Sequence, residues 1–125
     1  MNETRLDLRN RTKKFALRIV RLYCALPETT VAQILGKQMR PSGTSVGAHY
    51  REAYRSRSNA EFISKIEGGL QELEETIYWI ELLVESGTIT AEKLNSLLQE
   101  ANALLAILVT CVKKVKQHNN SKKPK

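Results

Sequence analysis

The residues of this 125-residue chain that are best suited to bind a ligand are its basic side chains. Four of them are spaced three, four and three residues apart and therefore share one ridge of a helix: Arg11, Lys14, Arg18 and Arg21. Three more are interleaved with Tyr50 and Tyr54: Arg51, Arg55 and Arg57. Few acids are available to neutralise them, since Glu52 is the only acid between Glu28 and Glu61. Basic side chains without acidic partners predict contacts to phosphate, which are weakly sequence-specific and strongly salt-dependent.

The net charge of +7 is divided unevenly along the chain. Residues 1–60 contain 12 Lys and Arg against 4 Asp and Glu, residues 61–100 contain 2 against 9, and residues 101–125 contain 6 against none. Because basic surface attracts phosphate and acidic surface repels it, a nucleic-acid interface should be confined to part of the molecule. The same asymmetry could instead bring the basic side of one copy against the acidic side of the next. Both interpretations stay open.

Apolar residues recur with helical spacing along four segments, and these segments must position the basic residues. The first stripe consists of Leu8, Phe15, Ile19, Leu22 and Leu26. The segment boundaries are marked by Pro27 after the first, Thr29 or Thr30 before the second, the capping-box pair Ser58 and Glu61 at the start of the third, Gly87 at its end, and Thr90 before the fourth. Four helices with very short connections predict an all-α fold, an up-down-up-down antiparallel four-helix bundle.

The end of the chain is basic. The apolar pattern stops at Val115, so we expect one domain over residues 1–117 and a flexible basic tail over residues 118–125. The lysines of this region are Lys113, Lys114, Lys116, Lys122, Lys123 and Lys125. We expect the ends of the second and fourth helices to lie at opposite ends of the bundle, which would separate these lysines from Arg51, Arg55 and Arg57. Cations near helix C-termini are also favourable without any ligand, so a solvated face is the alternative interpretation.

The second helix is the least regular of the four. Residues 41–48 read PSGTSVGA, which has poor helix propensity. One interpretation ends the helix at Arg40, with a loop through Gly43. The other keeps one long helix, kinked at Pro41, whose small residues let a neighbouring backbone approach closely. We favour the kinked helix, because the bundle needs a second helix about as long as the others.

Other chemistries lack the residues they need. The glycines and serines of residues 42–47 do not have the spacing of a phosphate-binding P-loop. A di-iron site needs Glu-x-x-His motifs, and neither His49 nor His118 has Glu three residues before it. Cys24 and Cys111 lie among apolar neighbours, which predicts buried thiols. We therefore expect no enzyme activity, no metal and no cofactor.

The composition also predicts where the protein works. No apolar run approaches the roughly 18 residues of a membrane span, and the N-terminus lacks the apolar core of a secretory signal. Two cysteines are too few for a disulfide framework, which fits a reducing compartment. We expect a cytoplasmic protein without a membrane partner.

Three strings carry a family resemblance: SGTSVGA at residues 42–48, RSNAEF at residues 57–62 and ETIYWIELL at residues 75–83. Together with ALRIVRLYCALP and ILGKQ, they make residues 14–112 similar to the bacterial four-helix-bundle proteins encoded in intervening sequences of 23S rRNA genes. The resemblance implies an up-and-down protomer that assembles into a ring-like homopentamer. It also implies a distant relation to the accessory proteins of diversity-generating retroelements, which bind nucleic acid and a reverse transcriptase through a basic surface. The chain departs from the family pattern at Arg40, Pro41 and His49, where an apolar residue, a basic residue and Asn are usual.

Two functional hypotheses follow. The first is a homo-oligomeric bundle that binds RNA or structured nucleic acid, with RNA rather than DNA as the expected partner, through Arg11, Lys14, Arg18, Arg21, Arg51, Arg55 and Arg57. The second is a protein–protein adaptor whose basic and acidic faces serve assembly between subunits or with a partner. Tyr23, Tyr54 and Trp79 are the candidates for exposed apolar contacts in either assembly.

Overall fold

Four helices account for almost the whole structure. The computed structural model describes the backbone of residues 3–122 and the side chains of residues 7–119. In chain order the helices are α1 (Glu3–Ala25), α2 (Thr30–Ala53), α3 (Asn59–Glu85) and α4 (Ala91–Lys122).

Each helix packs against the next in sequence, and α4 closes the bundle against α1. Helices α1 and α2 are antiparallel, because Ile19 lies against Gly43 whereas Thr12, earlier in α1, lies against Gly47, later in α2. In the other neighbouring pairs too, later residues of one helix contact earlier residues of the other, so these pairs are also antiparallel. The predicted fold class is confirmed: the chain is an all-α, up-down-up-down bundle.

The apolar stripes of the four helices converge on one core. Its largest fully buried side chains include Leu8, Phe15, Ile19, Met39, Val46, Ile66, Leu73, Ile80, Leu83, Leu104 and Leu108. Most of these residues recur three, four or seven positions apart within their helices, so helical periodicity alone brings them to the inner faces. Burying one such side chain stabilises the fold by about 1.5–3 kcal/mol. Leu22, which the periodicity also placed in the core, is half-buried.

Helix α3 begins and ends where local signals predicted. The Ser58 hydroxyl accepts a hydrogen bond from the N–H of Glu61 at 3.1 Å. The Glu61 carboxylate accepts from the N–H of Arg57 at 3.3 Å, one residue before the position expected in a capping box. At the other end Gly87 has a φ of 76° and forms the left-handed residue of a Schellman motif.

Helix α2 is continuous through Pro41, as the favoured interpretation predicted. Proline supplies no N–H for the preceding turn. The hydroxyls of the small residues bond within the helix, since Ser45 donates to the Pro41 carbonyl at 2.6 Å and Thr44 donates to the Arg40 carbonyl at 2.8 Å. A methyl group at Gly43 would lie 2.7 Å from Cγ1 of Ile19, so the small residues do admit α1 at close range.

The prediction that Cys24 is buried is wrong. Cys24 is exposed on α1, and Cys111 is half-buried. Cys24 does not lie three or four residues from Ile19 or Phe15, so it falls outside the buried stripe despite its apolar neighbours in sequence. Burial raises the pKa of the Cys111 thiol, and the positive charge of Lys114 opposes part of this shift.

Helix α4 is longer and more apolar than predicted. It continues to Lys122, five residues beyond the expected domain boundary at residue 117, whereas residues 123–125 of the predicted tail lie outside the described residues. The flexibility of that tail stays a prediction. Within Ala91–Asn119 an 18-residue window has a mean hydropathy of 1.4, enough by length and composition to cross a membrane. Leu97, Leu104 and Leu108 belong to the core, and 28% of this window is buried, so packing in the bundle accounts for part of the apolar composition.

Replacing Gly43 with Ala should destabilise the protein by about 1 kcal/mol, since overpacking costs about 1–3 kcal/mol and the better helix propensity of Ala returns about 1 kcal/mol. Gly68→Ala is the matched control, because the nearest atoms there belong to the His49 ring at 3.0 Å, farther than the 2.7 Å contact at Gly43. Urea denaturation of the two variants measures the difference. Equal stability of the two variants would contradict the close approach of α1 and α2.

Cys24 should react with iodoacetamide at least about 10-fold faster than Cys111 in the folded protein near pH 8, because it is exposed and because the raised pKa of Cys111 leaves less thiolate. Peptide mass spectrometry over a time course measures both rates. The difference should disappear in denaturant. Equal rates in the native protein would contradict the exposed position of Cys24.

Candidate nucleic-acid interface

The predicted basic ridge of α1 is partly used inside the protomer. Arg11 donates from Nη2 and Nε to the two carboxylate oxygens of Glu100, at 2.8 and 3.1 Å, and a second acid, Asp7, lies 3.8 Å away. The hydrogen bond to Glu100 raises the pKa of Arg11. Arg18 donates to the Ser96 hydroxyl at 3.0 Å. Both arginines therefore connect α1 to α4, and Arg11 is already paired with carboxylates rather than free for phosphate.

The other two residues of the ridge are exposed. Lys14 and Arg21 form no ion pair among the described side chains. They lie seven residues apart, about 10 Å along the helix, and Arg21 approaches the connection between α1 and α2. The ridge thus provides two separated cations instead of a continuous basic surface.

The basic residues of α2 and α4 lie at the same end of the bundle, so the expectation of opposite ends is wrong. Both helices run antiparallel to α3 and are therefore parallel to each other. Val115 of α4 lines one recess together with Tyr54, at the C-terminus of α2. The side-chain amide of Asn59, at the start of α3, donates to Oδ1 of Asn119 at 2.6 Å. Lys113, Lys114 and Lys116 are thereby brought toward Arg51, Arg55 and Arg57.

Lys13 is a basic residue of this end that the sequence analysis missed. A shallow groove of about 290 Å³ separates the exposed edges of α1 and α2, and Lys13 and Arg51 both line it. Lys13 lies outside the three-four-three spacing of the ridge. No local signal identified it, because its place beside Arg51 depends on the contact of α1 with α2, where a Cβ on Gly47 would lie 3.1 Å from Oγ1 of Thr12.

The α2–α3 connection contributes a second recess, of about 420 Å³. Tyr54 and Phe62 line it with their rings edge to face, 5.2 Å apart between centroids, and Arg57 lies beside them. Tyr54 also contacts Tyr50, with ring centroids 4.9 Å apart. The tyrosines that the sequence interleaves with arginine therefore belong to one aromatic cluster with Phe62.

Two ion pairs neutralise part of this end. Lys65 contacts Glu52 at 3.1 Å, and its hydrogen bond and charge lower the pKa of Glu52. Lys116 contacts Glu67 at 3.5 Å. Six further cations form no ion pair among the described side chains: Lys13, Arg51, Arg55, Arg57, Lys113 and Lys114. We call these six residues the basic end.

The described residues offer little for other chemistry. No group of three or more His, Cys, Asp and Glu side chains within them could hold a metal ion. His49 packs against Gly68 and Gly69 of α3, and its Nδ1 is buried without a hydrogen-bond partner. The half-buried ring thus fills the space left by two glycines, which is a packing role.

Arg11→Ala should lower the free energy of unfolding by about 1 kcal/mol, because a bidentate, half-buried ion pair contributes more to stability than an exposed pair usually does. A double-mutant cycle with Glu100→Ala should give a coupling of similar size that decreases at high salt. Lys14→Ala, the control on the same helix, should change stability by less than about 0.5 kcal/mol. No measurable coupling between Arg11 and Glu100 would contradict this contact.

Comparison with known proteins agrees with this fold. The family model described as 23S rRNA-intervening sequence protein matches residues 4–110. The chain is also similar to a crystal structure of a protein of unknown function from the S23 ribosomal protein family of Bacteroides thetaiotaomicron, with 37% sequence identity and a TM-score of 0.80 over 85% of this chain and 98% of that chain. Among curated proteins, no significant match was found. The chain therefore belongs to the 23S rRNA-intervening sequence protein family.

Proposed function

We propose that this protein is a non-enzymatic, cytoplasmic homo-oligomer that binds RNA or structured nucleic acid through its basic end. The observation that carries the proposal is the collection of six cations without ion-pair partners at one end of the bundle, among the described side chains. They come from three helices and one connection, and no single segment of the sequence contains them all. The four residues of the α1 ridge leave the predicted binding set, Arg11 and Arg18 because they bond to α4 and Lys14 and Arg21 because they lie apart. Lys13, Lys113 and Lys114 enter it.

Cations arranged in this way bind nucleic acid mainly through phosphate. Each neutralised phosphate releases condensed counterions, so the affinity decreases steeply with salt. If all six residues contact phosphate, the affinity should fall by about 10³-fold between about 50 and 200 mM salt. Contacts of this kind position the RNA without reading its sequence.

Oligomerisation is the second part of the proposal, with five subunits as the number that the family resemblance implies. Five large apolar side chains are exposed among residues 7–119: Leu17, Val20, Val31, Ile34 and Tyr78, of which Ile34 is the most exposed at 58%. The sequence-based candidates Tyr23, Tyr54 and Trp79 are instead half-buried. Contacts between copies would cover exposed apolar surface of this kind. A closed ring would also present several basic ends to one RNA and raise its effective affinity.

An adaptor that assembles through charge is the second candidate. Four glutamates of α3 are exposed and follow helical spacing: Glu67, Glu74, Glu81 and Glu85. They give the protomer an acidic edge that could accept the basic end of another subunit or of a partner protein. In that arrangement the cations of the basic end serve assembly, and binding of nucleic acid is incidental.

Charge reversal at the basic end separates the two candidates. Arg55→Glu combined with Arg57→Glu should weaken RNA binding by at least about 100-fold while leaving the oligomer intact. Arg21→Glu combined with Lys37→Glu changes the net charge equally at exposed positions toward the other end of the bundle. It should weaken binding by less than about 5-fold near physiological salt, where the Debye length is about 8 Å. Fluorescence anisotropy measures the affinities, and size exclusion with light scattering measures the particle mass.

The same measurements at low and high salt distinguish the RNA-binding protein from the adaptor. A particle that keeps its mass at high salt but loses bound nucleic acid, seen as a fall in the 260/280 nm absorbance ratio, agrees with the RNA-binding proposal. A particle that dissociates at high salt, together with dissociation of the Arg55/Arg57 variant at low salt, would favour the adaptor. Equal RNA affinities of the two charge-reversal variants would refute the assignment of the basic end.

A further inference from the structure

We infer that the recess between the α2–α3 connection and α4 binds one unpaired nucleobase, so that the protein selects looped or single-stranded RNA over continuous duplex. This inference rests on the proposed function and deepens it by naming the kind of RNA. The recess lies among the cations of the basic end, with Arg57 on its wall. Its volume of about 420 Å³ lies within the range of small-ligand pockets, which is about 300–1,000 Å³.

The lining of the recess suits a nucleobase. Tyr54, Phe62 and Val115 form its apolar wall, and both rings are half-buried. The rings are held in place by contact with each other and by the contact of Tyr54 with the buried Tyr50. Stacking on a ring that packing already holds in place costs less conformational entropy than stacking on a ring that binding would have to order.

Polar groups also line the recess. They are Ser56, Ser58 and Asn59, and the side-chain amide of Asn59 donates to Asn119 of α4. Hydroxyl and amide groups can bond the polar edge of a base while its face lies on the aromatic wall. Ser56 also donates to the Ala53 carbonyl and Ser58 accepts from the N–H of Glu61, so a base would use the lone pairs and protons that these bonds leave over. The mixed polar and apolar lining fits a base, which has an apolar face and a polar edge, better than it fits a wholly apolar side chain.

The charges around the recess fit the phosphate attached to that base. Arg57 lines the recess, and Arg55 lies two residues before Arg57 in the sequence. Both side chains are exposed. Helix α3 begins here, and the positive end of its dipole favours a nearby anion. Glu61 opposes this effect, but its carboxylate is bonded to the N–H of Arg57 and belongs to the helix cap. The phosphate is therefore expected at the guanidinium groups of Arg55 and Arg57.

This arrangement distinguishes classes of RNA. A base within an A-form duplex is stacked and paired, so it cannot enter a recess, whereas bases of loops and single strands can be splayed onto aromatic side chains. The groove that Lys13 and Arg51 line has no aromatic residue and offers contacts to phosphate only. Phosphate contacts alone would bind duplex and looped RNA alike, so the aromatic recess is the feature that supplies selectivity.

The test compares two RNAs of equal length and charge, a hairpin with an unpaired loop and a continuous duplex, by fluorescence anisotropy at matched salt. We expect the full-length protein to bind the hairpin about 10-fold more tightly, the effect of stacking one base. Phe62→Leu and Tyr54→Leu keep apolar volume but remove an aromatic face. Each should reduce hairpin affinity toward the duplex value and leave duplex affinity within about 2-fold.

Tyr23→Leu is the matched control, because Tyr23 is half-buried like Tyr54 and Phe62 but lies near the C-terminus of α1, at the other end of the bundle. It should leave both affinities unchanged, and circular dichroism and light scattering confirm that each variant is folded and assembled. Binding of both RNAs with equal affinity, or an equal loss of both in the Phe62 variant, overturns the inference while the proposed function stands. Absence of binding to either RNA at low salt overturns both.

Discussion

The close contact of α2 with its two neighbours is the constraint on which the rest of the bundle depends. Gly36, Gly43 and Gly47 lie along the side of α2 that faces α1, where side chains of α1 occupy the space that a Cβ would need. On the side that faces α3, the Ser42 hydroxyl accepts a hydrogen bond from Thr76 at 3.0 Å, and both groups are buried. A polar pair in an apolar core is costly unless it is satisfied, so this bond fixes the register of α2 on α3.

That register determines the surface as well as the core. With α1 held against α2 at Gly47, Lys13 comes to the same groove as Arg51. With α3 held against α2, the connection that carries Arg55 and Arg57 turns back toward α4. The basic end is thus a result of helix packing, although each of its cations is solvent-exposed or nearly so. The positive potential of the basic end therefore arises from residues that are far apart in the sequence.

The contact between α1 and α4 follows a different physical principle. These two helices touch over less of their length than the other neighbouring pairs. Side-chain bonds supply part of the contact, through the pairing of Arg11 with Glu100 and of Arg18 with Ser96. Arg11 and Arg18, which the sequence analysis assigned to nucleic-acid binding, therefore stabilise the contact between α1 and α4. The same guanidinium chemistry that suits phosphate suits a carboxylate equally well, and only the neighbour decides which one is bound.

The amino-acid sequence by itself determined the helices, the end signals at Ser58 and Gly87, and the fold class, because each depends on spacing or on bonds within a few residues. It left two interpretations of α2 open, and the continuous helix was favoured only because the bundle needs a long second helix. It also identified the family, through strings that lie on α2 and α3. The tertiary structure alone decided which cations are free, since the partner of Arg11 lies 89 residues away along the chain. The common end of α2 and α4 follows from the helix order, and the exposure of Cys24 from the periodicity of α1, so both were open to prediction from the sequence. The tertiary structure alone brought Lys13 to the groove that Arg51 lines and brought Val115 to the recess of Tyr54 and Phe62. These properties depend on which faces of different helices meet, and local periodicity contains no information about the partner across an interface.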